Sequence, residues 1–370
     1  MAALSLPEQV AASFEASHRK LSEHKALVGF DGFVDRILHV VEKRESPTSY
    51  TRMGEMTQFA ERIAAAAGLS ANIELVTLMV KLGGNGPIMA NALDAAGAPI
   101  TFIGNLGYPN IHPVFIEFSN RTRVHSIAEP GYTDAIEFLD GKLMFGKHES
   151  LKDVNWDNLT AHIPLDQLIE FFSEASLIAV VNWTMLTRLD GILSKLLTEV
   201  APKMAEERRW LFFDLADPAK RTSDDIANVL ETISGFEKYF RVILGLNLPE
   251  SRQIGDVLGF PPPEEKQEQV AKHAAKIQEK MGIDTVVIHP TAFAAAADAT
   301  GAASVKGPYA ANPKITTGAG DHFNAGFCVG RVLGFDLESS LQAGVATSGF
   351  YVREAKSPNP EQLVSFLRSL

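Results

Sequence analysis

Short runs of consecutive apolar residues recur along the chain, separated by longer segments whose apolar positions fall at helical spacing. The runs at 26–30, 100–103, 177–181, 210–214, 241–245 and 285–289 predict buried strands. The segments at 89–96, 165–175, 189–208, 224–235 and 263–281 predict helices. Strand–helix alternation over such a length predicts a parallel sheet covered by helices on both faces. Ligands of such sheets bind beyond the carboxyl ends of the strands. Several polar residues follow these runs: Asp31, Asn105, Asn182, Asp214, Asn247 and His289.

Two stretches break the rhythm. Residues 74–82 (ELVTLMVKL) and 133–145 (TDAIEFLDGKLMF) read as strands without helices between them, the second holding the hairpin dipeptide Asp140-Gly141. Residues 120–127, with Arg121, Arg123 and His125, read as a further strand of the same small sheet. That sheet is expected to stand apart from the main one, as an insertion into a single domain spanning 1–370, built from about 36–50, 72–82 and 120–147. The segment 1–25 reads as an amphipathic helix and lacks the basic start and continuous apolar core of a signal peptide.

Composition narrows the classes. With 370 residues, 46% of them hydrophobic, the chain buries a large core. Its apolar runs are far too short to span a bilayer, so no membrane partner is expected. A net charge of −11 argues against a nucleic-acid surface. The single cysteine, Cys328, excludes an internal disulfide and suits a reducing, cytoplasmic compartment. No zinc-type Cys/His cluster, nucleophile elbow or Walker loop is present.

The richest chemistry lies at Thr316-Thr317-Gly318-Ala319-Gly320-Asp321, followed by a helix-compatible apolar run. Small residues leave backbone N–H groups open to a ligand. A helix starting near Asp321 would aim its free N–H groups and the positive end of its dipole at an anion. A carboxylate there does not suit phosphate binding alone; it suits removal of a proton from a hydroxyl that attacks a phosphoryl group. The plainer alternative is a glycine-rich turn with Asp321 as N-cap. The extended segment T-T-G-A-G-D-x-F-x-A-G-F resembles the C-terminal signature of the ribokinase-like (PfkB) carbohydrate kinases. The resemblance implies that Asp321 is the catalytic base, that Gly318, Ala319 and Gly320 form an anion hole, and that Thr317, Gly318 and Gly320 meet the nucleotide. Where that family usually begins the motif with Asp, this chain has Ile315, which leaves activation by a monovalent cation open.

Other segments fit the same resemblance in the same order. Gly83-Gly84-Asn85 precedes a helix of small residues, and the resemblance makes these three sugar-binding; a tight strand-to-helix turn is the plainer reading. Asp31 and Asp35, in Gly29-Phe30-Asp31-Gly32-Phe33-Val34-Asp35, are both candidates to accept hydrogen bonds from sugar hydroxyls, or one of them caps a turn. Asn247 and Glu250 match an N-x-x-E motif that, in that family, organises Mg²⁺ and phosphate, often through water; a helix cap would look the same. Asp217 and Arg221 are candidates for phosphate or metal-water contact, against a loop held by turn chemistry; Arg121, Arg123 and His125 could reach a substrate phosphate from the lid, against a solvated strand face. His289 begins a loop beside the expected nucleotide that lacks the family's glycines. The resemblance thus implies a three-layer α/β ribokinase-like fold with a small β-sheet lid. It implies a kinase that moves the terminal phosphate of ATP, or of ADP, to a sugar or related polyol with Mg²⁺. A homodimer formed through the lid is a further expectation. A non-catalytic sugar- or nucleotide-binding regulator on the same fold is the alternative function.

Overall fold

The structure is a computed structural model, and it describes residues 4–205 and 207–370. Fourteen strands are seen in the described residues: β1 (Ala26–Phe30), β2 (Phe33–Arg44), β3 (Tyr50–Arg52), β4 (Leu75–Gly83), β5 (Ile100–Gly104), β6 (Arg123–Ser126), β7 (Gly131–Glu137), β8 (Lys142–Lys147), β9 (Leu177–Val181), β10 (Arg209–Asp214), β11 (Phe240–Leu246), β12 (Thr285–Ile288), β13 (Phe293–Asp298) and β14 (Gly301–Lys306). Nine of them form one sheet in the order β14-β13-β12-β11-β10-β9-β1-β5-β6. From β6 to β12 every neighbouring pair is parallel, and β13 and β14 add an antiparallel edge.

The consecutive apolar runs have a simple cause. Side chains alternate between the two faces of a strand, so a run apolar at every position has both faces buried. In β9, Ile178 and Val180 pack into one core, while Leu177, Ala179 and Val181 pack into the other. Helices Leu165–Glu174, Ser223–Gly235 and Gln267–Met281 cover the first face with Phe171, Val229 and Ile277. Helices Asn85–Ala96 and Ala319–Val332 cover the second with Met89, Phe323 and Phe327. Cys328 is buried in that second core, where burial pushes its thiol pKa far up, so it is packing.

The small sheet holds β3-β2-β7-β8, with β4 on the other edge of β2. Helix Met56–Ala65 covers part of one face, where Phe59 meets Leu38, Val40, Ile136 and Phe138. One expectation is corrected here. Residues 123–126 do not join the small sheet; they are β6, parallel to β5 at the edge of the main sheet, and Asn120 and Arg121 end the helix Ile116–Arg121. The N-terminal helix is shorter than expected, Leu6–Ser17 followed by a 3-10 turn at His18–Glu23; residues 1–3 lie outside the described residues. The helix expected at 189–208 stops early as well. Leu189–Lys195 passes into a π turn, Leu196–Val200, and a 3-10 turn, Ala201–Lys203, because Pro202 cannot donate to a continuing α-ladder.

Candidate active site

Two clefts meet at the N-terminus of helix Ala319–Val332. One, of about 420 Å³, lies between the small sheet and the main sheet; Asp35, Asn85, Thr133, Asn182, Gly318 and Asp321 line it. The other, of about 400 Å³, lies beyond the ends of β11 and β12; Asn247, His289, Tyr309, Ala319, Gly320 and Phe323 line it. Thr317, Gly318 and Asp321 face the first cleft, and Thr316, Ala319 and Gly320 face the second. A group passed from one cleft to the other crosses this helix end.

Gly318 stands at the N-cap with φ 91°, a left-handed conformation that glycine adopts without cost. No N–H partner is present for Gly318 or Gly320 among the described residues, whereas the Ala319 N–H already donates to the Thr316 carbonyl at 3.1 Å. The expected three-residue anion hole is therefore corrected: Gly318 and Gly320 offer free donors, and Ala319 closes the turn.

Asp321 is 7% exposed. Burial pushes its carboxyl pKa up to about 7, opposed by the Asn85 amide and reinforced by the nearby Asp31 and Glu250 carboxylates. Asn85 Nδ2 donates to Asp321 Oδ1 at 2.9 Å. Asn85 is itself held from behind. Asp31 Oδ2 accepts from the Asn85 N–H at 2.9 Å and from Asn182 Nδ2 at 2.8 Å, and Asp31 Oδ1 accepts from the Gly86 N–H at 2.7 Å. Gly84 has φ 94°, and a Cβ on it would come within 2.9 Å of Asp31 Oδ2.

Asp31 was expected beside Asp35 as a sugar ligand. The structure corrects this: Asp31 is fully buried, lines neither cleft and anchors the Gly84-Asn85-Gly86 turn. Asp35 does line the first cleft, and burial raises its carboxyl pKa against the pull of Lys81. Gly83 lines neither of the two clefts; a Cβ there would overlap the Asp35 carboxylate, so this glycine makes room for Asp35.

Asn247 and Glu250 form a reciprocal helix cap. Asn247 Oδ1 accepts from the Glu250 N–H at 2.9 Å, and Glu250 Oε2 accepts from the Asn247 N–H at 2.8 Å. Glu250 Oε1 takes the Asp217 N–H at 2.9 Å. The cap does not exhaust the carboxylate, because each oxygen keeps a second lone pair. Burial raises the Glu250 pKa. Asp214, at the end of β10, is raised further by burial and by the charges of Glu250 and Asp321. Burial raises all three carboxyls, and neighbouring carboxylates add to this at Asp214 and Asp321; a cation beside them would favour their charged forms. Yet no group of three or more His, Cys, Asp or Glu side chains forms a cage among the described residues. Such a site suits Mg²⁺ held largely by waters and by phosphate oxygens.

Other candidates fall away. Arg221 donates to the carbonyls of Thr184 and Trp183 at 3.1 and 3.2 Å and lies over the Trp183 ring, so it braces a loop. Arg121 pairs with Asp94 and Glu117, Arg123 lies over Phe171, and His125 packs against the same ring; none lines either cleft. Asp217 lines the first cleft and pairs with Lys220 at 3.1 Å. Lys220 is the only lysine or arginine lining either cleft among the described residues.

Sequence reasoning assigned no role to Asn182 beyond its place after a strand. It adopts φ 60°, lines the first cleft, and carries a buried Oδ1 without a hydrogen-bond partner. The readable signal was an Asn at a strand end, since Asn tolerates left-handed backbone better than most residues. Asn324 was also missed. It sits one turn after Asp321, and its Nδ2 donates to Asp214 Oδ2 at 2.8 Å. His289 lies on the second cleft, its ring tilted 35° against Phe323 at 4.8 Å between ring centres, and burial pulls its pKa down to about 4, so it is neutral.

Known proteins give the same answer as the architecture. A ketohexokinase of Haloferax volcanii is 30% identical over 354 residues, which is 95% of this chain and 93% of that protein. The Arabidopsis thaliana ribokinase solved with ribose and ATP superposes with a TM-score of 0.64 at 17% identity, over 94% of this chain and 99% of that one. The Escherichia coli phosphofructokinase-2 solved with substrates and products gives 0.64 at 13% identity, over 94% and 99%. The family model for prokaryotic ketohexokinase matches residues 7–370. The chain belongs to that family and is a carbohydrate kinase of the ribokinase-like (PfkB) group.

Proposed function

We propose that this kinase transfers the terminal phosphoryl group of ATP to a hydroxyl of a ketohexose, with Asp321 as general base. The observation that carries the proposal is the position of Asp321: a buried carboxylate with a pKa near 7, at the one helix end that both clefts share. A base works best when its pKa lies close to the operating pH. The names of the matching family and of the Haloferax volcanii relative support the ketohexose acceptor. The charges agree with an unphosphorylated sugar. Asp35, Asp217 and Asp321 line the first cleft against one lysine, and that lysine is already paired.

The sugar would lie in the first cleft, with Asp35 accepting from its hydroxyls and Asn182 lining the wall beside it. The Asn85 amide holds Asp321 Oδ1, leaving the other oxygen to take the proton of the attacking hydroxyl. The nucleotide would lie in the second cleft, its base among Tyr309, Phe293 and His289. The N–H groups of Gly318 and Gly320, with Lys220 released from Asp217, would meet the charge on the transferring phosphoryl group. Asn247 and Glu250 would hold Mg²⁺ through water, and that ion would neutralise the phosphate oxygens. The alternative of a non-catalytic regulator is set aside by the chain's membership of a kinase family.

The test is a set of initial rates on fructose, other ketohexoses, aldoses and nucleosides, each with ATP and with ADP kept free of the other. Turnover of ketohexoses with ATP is expected to exceed the rest. Preference for another acceptor class, or activity with ADP alone, would overturn the corresponding half of the proposal.

A further inference from the structure

The turn that carries Gly318 is gripped from behind by two aromatic side chains outside both sugar- and nucleotide-binding assignments. The Tyr351 hydroxyl donates to the Thr317 carbonyl at 2.9 Å. His322 Nδ1 contacts the Gly318 carbonyl at 2.7 Å, and its Nε2 contacts Ser357 Oγ at 2.9 Å. The two rings stack at 3.6 Å between centres and 15° between planes. A carbonyl only accepts, so Nδ1 carries the proton and Nε2 accepts from the Ser357 hydroxyl. Burial keeps both rings neutral, pulling His322 down to about 4 and pushing Tyr351 up to about 12. The same Gly318 carbonyl also takes the first helical hydrogen bond, from the His322 N–H at 3.1 Å.

A trans peptide points its N–H opposite its C=O. Holding the Thr317 carbonyl toward Tyr351 therefore turns the Gly318 N–H away from Tyr351, and Gly318 itself lines the first cleft. Holding the Gly318 carbonyl toward His322 fixes the next peptide, whose Ala319 N–H closes on Thr316. Space around the glycine is tight: a Cβ on Gly318 would lie 3.1 Å from Ile88 Cγ2 and 3.2 Å from the Tyr351 hydroxyl. Without a Cβ and with φ 91°, this residue has wide conformational freedom, so its peptide planes need external restraint. We infer that Tyr351 and His322 are positioning residues that aim the Gly318 N–H at the phosphoryl group in flight. This rests on the anion-hole reading above.

Tyr351→Phe tests it, because the ring and its stacking stay and only the donated O–H goes. The expected result is a kcat lower by roughly 10-fold or more, below the ~10²–10³ lost when a hole donor itself is removed. KM for sugar and nucleotide should stay within about twofold, as the contact serves the transition state and not ground-state binding. Mg²⁺-ADP with aluminium fluoride, a stand-in for the transferring phosphoryl group, should bind more weakly by a similar factor, with Mg²⁺-ADP alone unchanged. Should Tyr351→Phe fail to fold, Ser357→Ala loosens His322 instead and should show the same split in smaller measure. An unchanged kcat, or a loss matched by equal losses in nucleotide affinity and melting temperature, would overturn the inference. Asp321→Asn is the control. If it is inactive while Tyr351→Phe is normal, the general-base reading stands and this inference falls; if it is active, the general-base reading falls and Tyr351→Phe alone decides this inference.

Discussion

Asn85 and Asp321 lie 236 residues apart in sequence and share a hydrogen bond of 2.9 Å between Nδ2 and Oδ1. The bond joins the turn entering one helix to the first turn of another. It fixes which carboxylate oxygen is occupied and which is free to take a proton.

Asp321→Asn should keep the fold and lower turnover by roughly 10²–10⁴-fold, the range for loss of a positioned base. Asn85→Ala should cost less, because the base remains but loses its orientation. Steady-state kinetics on the best acceptor decide this; near-normal turnover in Asp321→Asn would remove Asp321 from the mechanism.

The rate should depend on pH through Asp321. Its carboxyl is lifted from 3.8 to about 7 by burial, and only the ionised form accepts a proton. Below about 7, kcat/KM should therefore fall tenfold per pH unit, and the limb should vanish in Asp321→Asn. Stability should run the other way. A folded pKa above the unfolded one means that the folded state binds the extra proton, so Asp321's contribution is full below 3.8 and is lost as pH rises through 7. Asp321→Asn should consequently melt higher than the parent at pH 8, with little difference near pH 4. Melting curves at both values provide the check.

Glu250→Gln should raise the Mg²⁺ concentration for half-maximal rate by roughly 10–100-fold, the usual effect of disturbing groups around a metal's ligands. KM for the sugar should hardly move, since Glu250 lines neither cleft and faces the Asp217 and Asn247 amides. A magnesium titration at saturating sugar that matches the parent would leave Glu250 as a helix cap alone.

The small sheet is proposed to close over the sugar. Met144 lines the first cleft, and apolar residues of β4 and β8 stand exposed, Met79 at 56% and Phe145 at 48%. Saturating sugar should slow hydrogen exchange in 75–83 and 131–147. No change in an active preparation would make these strands fixed walls. The same exposed residues are the surface proposed for a second copy of the chain, and sedimentation of Met79→Lys against the parent reports whether a dimer depends on them.

Much of the main sheet was readable, for a physical reason. A strand buried on both faces shows as an unbroken apolar run, and 177–181 appears in the structure with the same bounds. Residues 123–126 were harder. An edge strand carrying Arg123 and His125 has no long apolar run, and its pattern does not say which of two sheets it joins. The site was legible where backbone chemistry forced the residue type, as at Gly84 and Gly318 with their positive φ. It was not legible where two like residues sit close together. Asp31 and Asp35 carry the same carboxylate, and only the fold shows that one is spent on three internal hydrogen bonds while the other meets the cleft. Asn182 showed only as an Asn after a strand, because its partner Asp31 is 151 residues away.

One crossing from the main to the small sheet runs from Phe30, the end of β1, to Phe33, the start of β2, so Asp31 and Gly32 are the whole of it. A return crossing lies alongside, since Phe33 pairs with Gly83, and Asp31 grips the Asn85 and Gly86 amides just beyond it. The consequence expected of a moving cover is an interlock. A swing of the small sheet would pull on the same few atoms that hold the Asn85 amide against Asp321. An open cover would then misalign the base and closure on sugar would restore it, so that a bound nucleotide waiting without sugar would be shielded from wasteful hydrolysis by misalignment as well as by the barrier to water.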